Sequence, residues 1–356
     1  MTCKYSPKCS GCDCIHVPYE LQLKNKQRNL SGLLKTEVKV IHGPDLGYRN
    51  RMEFIIKGGK IGFREKNKPG TIIDIDECII CKPMINELLR EARSFLYKKN
   101  LPALRQIVIR SADESSISFV LKESSKTEEM IDQIKEFQTT AENVLITFAN
   151  EEAYSEDYIV LKGKDKLKAS YLGKEFLFPV QGFFQNNDTV AEKMHEYVNS
   201  LLKAYDTKDH ALLDLYGGVG TFAAINQNLF NKVIVVESYK PGIELAKTNV
   251  KGADIYETDA SRLKKVPLPE KLIVITDPPR SGMAMETIQE LKRLKPKVII
   301  YISCNQFQLK KDLKKFDEYT LKSTALFDMF PNTNHMEVVA ELVKLTLSNN
   351  KNSNIY

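Results

Sequence analysis

ALLDLYGGVGTFA, residues 211–223, is the stretch that decides the fold. Its first five residues are apolar apart from Asp214 and read as a short buried strand. Tyr216, Gly217, Gly218 and Gly220 follow at once, and a helix pattern starts behind them. Glycines at such a turn let a backbone come close to a ligand at the strand's carboxyl end. The next strand, KVIVVES at 232–238, carries an acid, Glu237, at its end. In nucleotide-binding sheets that position bonds ribose hydroxyls.

The turn lacks the Gly-x-Gly-x-x-Gly of dinucleotide sites. Its Asp-Leu-Tyr-Gly-Gly-Val-Gly order instead suits an S-adenosylmethionine pocket. Further along, DIYETDA, KLIVITDPP, KVIIYISCN, STALFDMF and HMEVVAELVKL supply more apolar strands, and helix patterns stand between several of them. This alternation predicts a doubly wound, mostly parallel α/β sheet. The texture before it differs. Residues 18–36 read as a polar helix. From 48 to about 165, short strand-like runs (RMEFIIKGG to DYIVLKG) alternate with helical stretches at 84–98 and 127–142, an α+β pattern. The expected division is therefore 1–175, 176–345 and a frayed polar tail at 346–356.

Three further stretches carry chemistry. ITDPPRSG, 275–282, ends a strand in Asp277 with a proline-stiffened loop at the ligand edge. IIYISCNQ, 299–306, places Cys304 at the end of an apolar strand on the same edge. FDMFPNTNHMEVVAEL, 327–342, starts the last strand with Glu337. Together they fit one reaction. Carbon 5 of uracil is too weak a nucleophile to take a methyl group unaided. A thiolate adding to carbon 6 moves electrons onto carbon 5, which then attacks a sulfonium methyl. A base removes the carbon-5 proton and the thiolate leaves. Cys304, Glu337 and the glycine-turn pocket supply nucleophile, base and donor site, and Asp277 is placed to hold or polarise the ring.

The whole chain of 356 residues has a net charge of +6. Residues 24–70 alone carry twelve Lys and Arg against four Asp and Glu, more than the whole-chain excess. That predicts a phosphate-contacting face, with Arg49 and Arg51 two apart on one side of a strand and Arg64 further along. No apolar run approaches a membrane span, so no membrane is expected. The N-terminus lacks a charged-then-apolar leader pattern, and a reducing cytoplasm is the expected location. There, clustered cysteines are more often metal ligands than disulfides. Cys3, Cys9, Cys12 and Cys14 crowd the first fourteen residues.

DLYGGVGTF, DPPRSG, SCNQ, FFQNN and DMFPNTNHMEVV together resemble the RNA uridine-C5 methyltransferases, in particular the branch with an iron–sulfur cluster, from Cys3 to about Leu345. The resemblance implies a Rossmann-like class I S-adenosylmethionine-dependent methyltransferase domain behind an α+β domain for the cluster and RNA. It implies Cys304 as nucleophile and Glu337 as base. Donor contacts would fall on Gln185, Tyr216, Gly218, Glu237 and Asp277. It implies a 4Fe-4S cluster on Cys3, Cys9 and Cys12 with Cys78 as the distant ligand, chosen over Cys81. Thiolates alone would also suit zinc. Gln306 departs from the proline or small residue of many relatives. The expected substrate is a uridine in an RNA loop, where a base is cheaply unstacked. The compact form resembles most the branch acting on uridine 747 of 23S ribosomal RNA, with the tRNA T-loop as alternative and a monomer expected. Two other classes compete: an amino-directed base methyltransferase, which needs neither Cys304 nor Glu337, and a non-catalytic metal-stabilised RNA-binding module, which needs no donor pocket.

Overall fold

The protein is described by a computed structural model over residues 3–125, 127–150 and 154–345. The expected tail, 346–356, lies outside the described residues. Two sheets organise the chain. The larger has eight strands in the order Lys39–Ile41, Tyr319–Phe327, Glu337–Lys344, Val298–Ser303, Leu272–Thr276, Ala211–Leu215, Lys232–Glu237 and Asp254–Glu257. Pairing is parallel except on both sides of Glu337–Lys344. Chain order reverses between Ala211–Leu215 and Leu272–Thr276, so a crevice opens at their carboxyl ends. Glu337–Lys344 runs backwards, so its first residue reaches the same edge where its neighbours end.

These strands read as continuous apolar runs because helices cover both faces. One core cluster gathers Leu212, Val235, Ile273, Ile300 and Val339; the other gathers Leu213, Ile234, Val274, Ile299 and Val338. The second sheet has seven strands, in the order Lys68–Asp74, Lys60–Glu65, Arg51–Lys57, Leu104–Ser111, Ser115–Lys122, Asn143–Ala149 and Tyr154–Lys162. Helices Pro83–Leu96 and Glu128–Lys135 lie over it, their Ile85, Leu88 and Ile134 in its core. The second helix is shorter than the expected 127–142.

A division at residue 175 does not follow the packing. Lys39–Ile41 pairs in parallel with Ala325, Leu326 and Phe327 of the larger sheet. Leu30, from helix Tyr19–Leu34, sits in that sheet's core. The hairpin Lys166–Tyr171/Lys174–Pro179 alternates Leu167, Ala169, Tyr171, Phe176 and Phe178 into the same body. The chain thus leaves the larger sheet after residue 41, builds the smaller one, and returns before residue 175.

Part of the basic stretch also serves this packing. Lys26 is buried, 2.6 Å from the buried carboxylate of Asp328, and donates to the carbonyls of Phe330 and His335. Its amine is unavailable to a phosphate. Lys26→Met would strand the Asp328 charge. The expected loss of unfolding free energy is roughly 3–5 kcal/mol, read from urea denaturation. An unchanged unfolding curve would contradict this role.

Candidate active site

Tyr216, Gly218, Glu237, Asp277, Cys304 and Glu337 are brought together at the carboxyl edge of the larger sheet. With Gln185 and Arg49 they line one cavity of about 1210 Å³. The glycine turn is tight. Tyr216 has φ 58°, an uncommon left-handed conformation for a residue with a side chain. A Cβ on Gly220 would come within 2.3 Å of Val250, so only glycine closes this turn. The Gly218 amide donates to Glu237 Oε2 at 2.8 Å, and the Ser238 and Tyr239 amides donate to Oε1 at 2.6 and 2.7 Å. Those bonds fix the carboxylate at the rim.

Cys304 is half-buried on a turn held at both ends. The Asn305 amide donates to Ser303 Oγ, and Asn305 caps helix Gln306–Leu313 by accepting from the Phe307 and Gln308 amides. Asn305 Nδ2 donates to the Arg280 carbonyl at 3.0 Å, tying the Cys304 turn to the Asp277 loop. The unusual Gln306 is simply the first residue of that helix.

The closing motif is anchored from the amino-terminal segment. Asn332 accepts from the Cys14 amide at 2.9 Å and exchanges bonds with the Gln22 side chain. Tyr48 donates to the Pro331 carbonyl, and Tyr19 donates to Asp328. Glu337 follows this clamped loop directly.

Three groups in this cavity, Glu337, Asp277 and Cys304, hold their protons more tightly than usual. Burial, reinforced by Asp277, pushes the Glu337 carboxyl well above the usual carboxylate range, against the pull of Arg280. Burial pushes Asp277 up to about 7. The Cys304 thiol is pushed up to about 11, first by burial and then by Glu337 and Asp277, with Arg280 opposing. Arg280 is therefore the cation that favours both the thiolate and the carboxylate. It stands in the quoted DPPRSG, one residue past the prolines, yet was not singled out. Phe183, Thr333 and His335 also line the cavity without having been named from the sequence.

The expected RNA-contacting arginines differ in their partners. Arg49 lines the main cavity, but its Nε donates to the Arg51 carbonyl at 3.0 Å. The Arg51 guanidinium pairs with Glu53 at 2.5 Å. Arg64 is exposed and lines neither cavity described here. Arg49 and Arg51 line a second cavity together.

A second cavity, of about 320 Å³, is lined by Cys3, Cys9, Cys12 and Cys78 together with Arg49 and Arg51. Burial pushes the Cys12 thiol up to about 12, and Cys78, Cys9 and Cys3 add to the effect. Cys81 is buried beside Cys78, and that neighbour together with burial raises its thiol well above the usual range. Among the described residues, no group of three or more His, Cys, Asp or Glu side chains is arranged to hold a metal ion. Nor is any described helix long and apolar enough to cross a membrane.

Comparison with known proteins gives the family. Residues 18–345 match the family described as tRNA (Uracil-5-)-methyltransferase. The tRNA (uracil(54)-C(5))-methyltransferase of Pyrococcus abyssi is 31% identical over 96% of this chain and 85% of its own length. That of Pyrococcus horikoshii is 30% identical, with the same coverage. The crystal structure of the Pyrococcus abyssi tRNA (uracil-54, C5)-methyltransferase with S-adenosyl-L-homocysteine superposes with a TM-score of 0.78 at 29% identity, covering 95% of this chain and 87% of that one. With that family spanning most of the sequence, the chain belongs to the tRNA (uracil-5-)-methyltransferases, S-adenosylmethionine-dependent enzymes that methylate carbon 5 of uracil in RNA.

Proposed function

We propose that this chain methylates carbon 5 of the T-loop uridine of tRNA, with Cys304 as nucleophile and Glu337 as base. The observation that carries the chemistry is the meeting of Cys304, Glu337 and Asp277 in one cavity with the glycine turn. The similarity to enzymes named for uracil 54 of tRNA supports the substrate. Uridine 747 of 23S ribosomal RNA, the substrate expected from the closing motif, draws no support from these relatives. S-adenosylmethionine supplies the methyl group as a sulfonium.

Cys304 gives its proton to solvent and the thiolate adds to carbon 6; carbon 5 then takes the sulfonium methyl, releasing S-adenosylhomocysteine. Asp277 hydrogen-bonds the edge of the uracil and orients the ring for the addition. Once carbon 5 is methylated, the Glu337 carboxylate takes its proton, and the Cys304–carbon-6 bond breaks. Burial makes Glu337 a stronger base than a free glutamate, but only its ionised fraction works. Both essential groups have raised pKa values, so both lose protons as pH rises. The expected profile of kcat/KM climbs from pH 6 towards alkaline values. A profile that falls over this range would contradict the assignment.

Gln185, Tyr216, Gly218 and Glu237 would hold the donor, with Glu237 facing the ribose hydroxyls. In the second cavity, Cys3, Cys9, Cys12 and Cys78 would hold a 4Fe-4S cluster. Such a cluster is held by four cysteine thiolates. These four thiols line one cavity, and Cys81 is not among its lining residues.

The test incubates purified protein with labelled S-adenosylmethionine and either tRNA or a 23S RNA fragment. Label in 5-methyluridine of tRNA alone supports the reading, and label only in the ribosomal fragment overturns the substrate. Iron and sulfide analysis after anaerobic purification tests the cluster separately.

A further inference from the structure

The helix that follows Cys304 carries a stripe no motif assigned. Phe307, Lys310, Lys311 and Lys314 fall at the i, i+3, i+4 and i+7 positions that share one face, while Leu309 and Asp312 are buried on the other. Phe307 is 62% exposed, unusual for so large an apolar side chain. It lies three residues beyond Cys304, which lines the catalytic cavity. The three lysines sit in ion pairs with no acid among the described residues. Elsewhere in this sheet's cover the pattern is different: Lys292 pairs with Asp317, Arg293 with Glu290 and Lys247 with Glu244. Lysines in the last turn suit the helix dipole, but that does not explain an exposed phenylalanine at the first. Helix Tyr19–Leu34 packs alongside and adds exposed Lys24 and Arg28, also unpaired among the described residues.

The geometry points to this stripe as the docking track for the RNA substrate: Phe307 stacks on an unpaired base beside the extruded uridine, and the lysines follow the phosphates leading away from it. The track presupposes an RNA substrate and assigns where that RNA lies. Cations free of local acids are the footprint of a polyanion, and an aromatic beside them is the platform for an unstacked base. Within the basic stretch 24–70, Lys26 is buried and Arg51 pairs with Glu53, whereas Lys24 and Arg28 are exposed on the helix beside the stripe.

The experiment measures binding of unmodified tRNA, separately from methylation, for the parent protein, Lys310→Gln/Lys311→Gln/Lys314→Gln, Phe307→Ala and Lys57→Gln/Lys60→Gln. The triple variant is expected to weaken RNA binding more than tenfold at moderate salt and to lower the salt-dependence slope by about 2. Phe307→Ala should cost about tenfold. S-adenosylhomocysteine binding should stay unchanged in all variants, which shows that the fold survives. The Lys57/Lys60 variant should bind RNA like the parent. RNA affinity within twofold of the parent for both the triple and Phe307→Ala variants overturns the track, as does a larger loss from Lys57/Lys60. If the parent binds tRNA through the stripe but methylates no uridine, the proposed reaction fails and the track stands.

Discussion

Replacing Cys304 with serine should lower methylation by at least about 10⁴-fold, with S-adenosylhomocysteine binding retained. The size of the effect follows from the substrate. Uracil carbon 5 is a usable nucleophile only while carbon 6 carries an added anion, and no other cysteine lines this cavity. A serine hydroxyl would be harder still to ionise beside the Asp277 and Glu337 carboxyls that already raise the thiol. The fold should tolerate the exchange. Cys304 is half-buried, and its turn is held by Ser303 and Asn305 instead. A serine variant of undiminished rate would remove covalent catalysis from the account and leave direct transfer to an amino group as the competing chemistry.

Glu337→Gln should act differently. The amide keeps the shape at the head of strand Glu337–Lys344 and removes the base. Cys304 can still add and the methyl group can still transfer, but the carbon-5 proton stays and the thioether to carbon 6 cannot break. Turnover should fall by about 10²–10⁴-fold. A protein–RNA complex stable to denaturing electrophoresis should accumulate, and adding the Cys304 substitution should abolish it. A variant that is slow yet forms no complex would place Glu337 before methyl transfer instead of after it.

The strands of the larger sheet were legible because burial on both faces leaves uninterrupted apolar runs. Their ends carried the chemistry: Glu237, Asp277 and Cys304 each follow such a run. Lys39–Ile41 could not be read this way, since three residues carry no periodic signal and their partners lie near residue 325. The hairpin from Lys166 to Pro179 does alternate, but nothing local says which sheet it covers. Charge misled for a related reason. Lys26 looks like its basic neighbours until the fold brings Asp328 from 302 positions away. The Arg51–Glu53 pair was within reach, because residues two apart on a strand share a face. Composition placed cations in residues 24–70; only the packed helices show which lysines and arginines face solvent beside the cavity.

Release of tritium from tRNA carrying uridine labelled at carbon 5 tests the central claim most directly. Substitution at that carbon must expel its hydrogen, so tritium should leave in equimolar step with methyl transfer, and Glu337→Gln should slow release while leaving the methyl group on the RNA. Methyl incorporation without tritium release would place the new group on another atom and contradict the reaction proposed for Cys304 and Glu337.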